Sequence, residues 1–112
     1  MSSYITIPNE ARITRVSYHP EFSVICSIGR APFHGTIDIE YIPGGKLLEF
    51  ESVDSWLESI ALKSMTIEGL CRLVFDEVSK ALGDIPLSVK VYARTTVHAP
   101  ASAQITRGNI SE

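Results

Sequence analysis

Apolar and polar residues alternate strictly from Ile37 to Tyr41: Ile37, Ile39 and Tyr41 fall on one side, Asp38 and Glu40 on the other. A period of two marks a strand with one buried face. A second alternation sets Leu87, Val89, Val91 and Ala93 against Ser88, Lys90, Tyr92 and Arg94. Between these strands the period becomes helical. Within residues 51–63, Val53, Trp56, Leu57 and Ile60 recur at i, i+3, i+4 and i+7, one apolar stripe. Ile67, Leu70, Cys71, Val74, Val78 and Leu82 draw a second stripe along residues 67–82. Ser52 is the expected N-cap of the first helix, with Asp54 in its first turn. Ser64-Met65-Thr66 interrupts the two helices, and Thr66 is placed to cap the second. Gly83-Asp84 and then Pro86 end it.

Residues 22–28 read as a strand, followed by a loop punctuated by Gly29, Pro32 and Gly35 and a second strand over 36–42. Pro43-Gly44-Gly45 closes that strand with turn chemistry. Tyr4 to Pro8 is an edge strand or an arm, because Pro8 cannot continue an inner ladder. Ile13 to Tyr18 forms another short extended piece. Residues 101–106 make a last strand, and the polar stretch 107–112 is expected to fray. The order ββααββ predicts an α+β fold, an antiparallel four-stranded sheet with two helices on one face. Residues 1–112 are one domain, with 1–12 and 107–112 as arm and tail. The sheet's other face is left for a subunit neighbour to cover.

Composition narrows the function classes. The chain of 112 residues carries a net charge of −3, against broad, nonspecific nucleic-acid binding, which runs on excess Lys and Arg. A local basic face built from Arg12, Arg15, Arg30, Lys90, Arg94 and Arg107 stays open, particularly in an oligomer. No apolar run approaches the ~20 residues of a membrane span, and no secretory h-region is visible. Cys26 and Cys71 fit no zinc pattern, so two free thiols in a reducing cytosol are expected.

Three groups could carry chemistry. Cys71 lies on a buried stripe and reads as core. Cys26 ends a strand beside a polar loop, where a thiolate could be reached; from position alone a core or spectator thiol is the plainer reading. Glu68 sits in the first turn of the second helix. It is either a carboxylate favoured by the helix dipole or an anchor for a guanine-like edge, accepting two parallel N–H bonds. His34 is close in sequence to Cys26 and could serve it as acid or base, or simply face water. His19, His34 and His98 lack metal-ligand spacing, so no metal is expected. Trp56 reads as core.

The run from Cys26 through Gly29, Phe33 and His34 to Tyr41-Ile42-Pro43 resembles the 7-cyano-7-deazaguanine reductases of the tunnelling fold. The resemblance extends from about Phe22 to Arg94. It implies subunits joined side by side into a ring, a pentamer or two such rings face to face. It also implies a cysteine, here Cys26, that attacks a nitrile to form a covalent thioimide. Glu68 matches the glutamate that holds the deazaguanine edge, and Glu49 matches the glutamate after the second strand.

The departures point to one branch of the family. Reductases carry a Glu-Ser-Lys-Ser-x-Lys motif that helps hold NADPH; here Glu49-Phe-Glu-Ser-Val-Asp54 puts acids, Glu51 and Asp54, in place of both lysines. Acids repel a cofactor phosphate. The histidine before the substrate glutamate is Ile67. The combination resembles the QueF-like archaeosine synthases, which add ammonia instead of hydride to the nitrile base in the tRNA D-loop and need no redox cofactor. In that family an aspartate follows the cysteine by seven residues; here Phe33 stands there, with His34 next to it as the candidate substitute. Ser27 replaces the usual proline. The expectation is therefore a tRNA amidinotransferase with Cys26 and His34 as catalytic residues and Glu68 and Glu49 binding the base. A NADPH-dependent nitrile reductase and a non-catalytic ring protein binding a purine or tRNA are the alternatives.

Overall fold

In a computed structural model the described residues are 4–26, 28, 31–61, 63–95 and 98–110, apart from the side chains of Cys26 and Thr95. Among the described residues eight strands and two helices follow in order: β1 Thr6–Pro8, β2 Val16–Tyr18, β3 Glu21–Cys26, β4 Pro32–Tyr41, β5 Lys46–Leu48, α1 Phe50–Ser59, β6 Ser64–Met65, α2 Ile67–Leu82, β7 Leu87–Thr95 and β8 Ala101–Arg107. The expected four strands form the antiparallel run β3-β4-β7-β8. The sheet is larger than expected. β2 also pairs with β4, and β6 pairs in parallel with β3 at the edge. β1 and β5 make a separate antiparallel pair.

The alternations hold. Ile37, Ile39, Tyr41, Leu87, Val89 and Val91 are fully buried, and α2 lays its stripe of Leu70, Cys71, Val74 and Val78 along β7 and β8. Val53, Leu57 and Ile60 bring α1 into the same core. Trp56 packs edge-on against Tyr4 with ring centroids 5.5 Å apart. Cys71 is core: its Sγ donates to the Val89 carbonyl at 3.3 Å, and burial pushes its thiol pKa up.

Several local expectations are corrected. The first helix starts at Phe50 and ends at Ser59 instead of spanning 51–63. Its N-cap is Glu49, not Ser52: Glu49 Oε1 accepts from Ser52 N at 2.7 Å. Ser52 is instead buried, with its Oγ accepting from Ile5 N at 2.9 Å and donating to the Glu49 carbonyl at 2.7 Å. Those bonds make residues 4–8 part of the fold, with Tyr4 in the core and β1 paired with β5, so of the two readings, edge strand or arm, the structure shows the edge strand. Thr66 caps α2 as expected, accepting from Gly69 N at 2.9 Å.

Pro32 and Gly35 lie inside β4 and not in a loop. A Cβ at Gly35 would fall 1.8 Å from the Tyr92 carbonyl oxygen, so close backbone approach demands glycine there. Within the expected tail, Arg107 and Ile110 are also held. Arg107 donates to the carbonyls of Ile85 and Gly83 and to Ser79 Oγ, its guanidinium lies 5.1 Å from the centre of the Phe75 ring, and Arg15 donates to the Ile110 carbonyl at 3.0 Å. Among the described residues no helix is long and apolar enough to cross a membrane.

Candidate active site

The β3–β6 pair decides what meets what. Its parallel register sets Ile25 opposite Ser64 and Cys26 opposite Met65. Met65 leads directly into the Thr66 cap and the first turn of α2, where Glu68 stands. The backbone at Cys26 and the N-terminus of α2 therefore lie side by side, although 42 positions separate Cys26 from Glu68 in the chain. A two-residue strand has no periodicity to read, so this juxtaposition had no signal in sequence beyond the break at Ser64-Met65-Thr66. The Cys26 side chain lies outside the described residues, as do Gly29 and Arg30.

Glu68 is exposed, and among the described residues its carboxylate has no hydrogen-bond or ion-pair partner. The Thr66 hydroxyl already satisfies the Gly69 amide. Both carboxylate oxygens thus remain available, at a helix end where the dipole favours the anion. Such a group can accept two parallel N–H bonds from a planar heterocycle.

Glu49 is different. It is half-buried and its Oε1 closes the first turn of α1. The acids expected to exclude NADPH also differ from one another. Glu51 is exposed in the first turn of α1. Asp54 accepts a 2.6 Å bond from the Tyr18 hydroxyl, and Tyr18 stacks on Phe50 with centroids 4.2 Å apart. Burial, reinforced by that carboxylate, pushes the Tyr18 hydroxyl up to about 12.

His34 is not brought to Cys26. It stands opposite Ser23, three residues short of Cys26 along β3, roughly 10 Å at strand rise. Nor can it stand in for a side chain at position 33. Phe33 is 2% exposed, packed at 82° to Phe22 in the core, while His34 is exposed on the opposite face. Neighbours in a strand point to opposite faces, and a shift of one position reverses the side. The other histidines lie elsewhere: His19 Nδ1 is 2.7 Å from Asp38 Oδ1, and His98 Nδ1 is 2.6 Å from the Ala99 carbonyl.

Comparison with solved structures finds the apo crystal structure of the archaeosine synthase QueF-Like at a TM-score of 0.71, covering 88% of this chain and 98% of that one, at 20% identity. The chain has the tunnelling fold. Among curated proteins it is 37% identical over 71 residues to the NADPH-dependent 7-cyano-7-deazaguanine reductase of Frankia casuarinae. It is 26% identical over 72 residues to the reductase of the same name from Wolinella succinogenes. These matches span 57% and 58% of those reductases' lengths, and 63% and 64% of this chain. No family model matches.

Proposed function

We propose that the protein is an amidinotransferase that converts the nitrile of 7-cyano-7-deazaguanine in tRNA to the formamidine of archaeosine. The observation that carries this reading is the β3–β6 register, which sets the Cys26 backbone opposite Met65, three residues before Glu68, whose carboxylate has no partner among the described residues. In this reading the nucleophile and the anchor for a guanine-like edge act on the same base.

In the proposed reaction the Cys26 thiol adds across the nitrile. Sulfur bonds to carbon, the thiol proton ends on nitrogen, and a thioimide forms. Ammonia adds to that carbon, the carbon–sulfur bond breaks, and the thiol recovers a proton as the amidine leaves. No electrons are transferred, so no redox cofactor takes part. Glu68 holds the base by its N–H edge. The proton inventory closes on the thiol and ammonia, and His34, on the far face of the sheet, is left out of it. The base must leave its stack to reach the thiol. Among the described residues no strand pairs with the outer edge of β8, consistent with copies joined edge to edge in a ring.

The reductase reading has in its favour the 37% and 26% identities to the Frankia casuarinae and Wolinella succinogenes enzymes. Against it stand the acids Glu51 and Asp54 where a cofactor phosphate would need cations. One incubation separates the two. The protein receives tRNA carrying the nitrile base, with ammonium and NADPH both present, and the nucleoside is weighed. A gain of one ammonia is expected; an aminomethyl product would establish the reductase instead. Cys26→Ala is expected to reduce product to background while keeping the wild-type circular dichroism, and turnover retained in that variant would refute the mechanism.

A further inference from the structure

The geometry points to Lys63 as the contact for the 5′ phosphate of the nucleotide whose base is offered to Cys26. This rests on the tRNA reading above and goes beyond it, adding a cation that a nucleotide in RNA engages and the free base does not.

The backbone fixes where Lys63 stands. Its N–H donates to the Ile60 carbonyl at the end of α1, and its carbonyl accepts from Ile25 N, both at 3.0 Å. Residue 63 is therefore tied to a helix end on one side and to β3 on the other. The β3–β6 register then sets Ser64 opposite Ile25 and Met65 opposite Cys26. At ordinary strand spacing and rise the Cα atoms of Lys63 and Cys26 are roughly 8 Å apart. Lys63 is exposed, and among the described residues its ammonium has no hydrogen-bond or ion-pair partner.

The other described cations are engaged or lie elsewhere. Arg15 is paired with Glu40, Arg72 with Asp76 and Lys80 with Glu77, and Arg107 is clamped at the end of α2. Arg12 and Lys46 belong to the β1–β5 end, ahead of α1. Lys90 and Arg94 point to the helix-free face of the sheet, since their neighbours Val89, Val91 and Ala93 are buried. Among the described residues Lys63 is thus the one unengaged cation beside the end of β3 that carries Cys26.

The order of groups matches the order along a nucleotide. In the proposed substrate the N–H edge offered to Glu68 belongs to the six-membered ring. The nitrile and the sugar are both on the five-membered ring, so the phosphate follows at the nitrile's end. In the protein the positions run Glu68, then Met65 opposite Cys26, then Lys63. A base reaching from Glu68 to the thiol therefore leaves its phosphate on the Lys63 side. A compact ammonium on a flexible stem suits one phosphate as a point charge. In a chain of net charge −3, RNA affinity depends on cations placed at particular phosphates instead of a diffuse basic surface. The plainer role for Lys63 is to offset the carbonyl end of α1, whose last turn has no basic residue. That role would show in stability and not in the choice between substrates.

The test compares a fluorescent D-arm stem–loop RNA carrying the nitrile base with the free nitrile base. RNA binding is followed over a range of salt, and the adduct on Cys26 is weighed. Lys63→Gln should weaken RNA binding on the order of 10-fold and reduce the slope of log Kd against log salt by about 1. Its adduct with the free base should form as in wild type, and Lys63→Arg should restore RNA binding. A methylphosphonate in place of the modified nucleotide's 5′ phosphate should bring wild type to the affinity of Lys63→Gln and cost the variant nothing further. Wild-type affinity and slope in Lys63→Gln would overturn the inference. So would variant and methylphosphonate losses that add, which would put Lys63 on another phosphate. An equal loss of adduct with the free base, a lowered melting temperature alone, or a changed oligomeric mass would assign Lys63 to the thiol, to α1 or to a contact between copies. Each of these likewise overturns it. The underlying reading is judged separately: wild-type protein that forms no adduct with either substrate refutes that reading, whereas adduct formation without a Lys63 effect on RNA refutes only the phosphate contact.

Discussion

The two helix N-termini carry the same kind of side chain and use it in opposite ways. At α1 the carboxylate of Glu49 is the cap, bonded to Ser52 N at 2.7 Å, and Asp54 a little further on is taken by the Tyr18 hydroxyl at 2.6 Å. At α2 a neutral hydroxyl, Thr66, does the capping. That leaves Glu68 exposed and, among the described residues, without a partner. A carboxylate that completes a helix end contributes to stability. One left open beside a completed helix end costs a little solvation only when something binds it. Identical charge at comparable positions therefore does not imply a comparable role; what matters is whether another group has already satisfied the backbone.

The largest expected effect is on ligand binding at α2. Glu68→Gln should lower the yield of nitrile-base adduct on Cys26 by roughly 10- to 100-fold, the range for losing hydrogen bonds to a charged group. Its denaturation midpoint should stay near wild type, since an exposed side chain is replaced away from any contact. A normal adduct yield with Glu68→Gln would erase the contrast between the helix ends.

Next come the caps. Thr66→Ala and Glu49→Ala should each cost about 1 kcal/mol in urea unfolding, the usual loss for a removed N-cap. Glu49→Ala sharpens the comparison most. If the folded variant also loses adduct, then its second carboxylate oxygen holds ligand as well, and α1 is both cap and anchor.

The smallest effect is alkaline. Tyr18 titrates near 10 in the unfolded chain and about 12 in the folded one. The folded state keeps its proton across that window, so stability is unaffected below it and falls as pH rises through it. Tyr4 and Tyr41 are pushed in the same direction by burial. Asp54→Asn should lower the Tyr18 titration, measured by tyrosinate absorbance, and reduce this loss. A Tyr18 titration unchanged in Asp54→Asn would leave burial as the sole cause and remove Asp54 from the contrast.

The residues legible from sequence share one property: their signal is local. The faces of β4 and β7 and the stripe of α2 were readable because side-chain direction repeats every two or 3.6 residues whatever the chain packs against. Thr66 and Gly83 were readable because a helix end creates unsatisfied backbone groups that few residue types meet. Ser52 was misjudged as a cap because the helix begins earlier: Glu49 accepts from the Ser52 amide itself, which puts Ser52 inside the first turn. Gly35 and Pro32 read as loop, since nothing local announces that the Tyr92 backbone closes on position 35.

By itself, then, the sequence determined the two amphipathic strands, the two helices, the buried character of Cys71 and the resemblance that singles out Cys26 and Glu68. Only the tertiary structure decided that β6 pairs with β3, that Phe33 faces the core while His34 faces outward, that Glu49 is a cap, and that Lys63 lies beside the Cys26 end of β3. Each of these depends on pairing between segments distant in sequence, whose partner is chosen by core packing and register. Local periodicity says which face a residue takes, but not which residue it meets there.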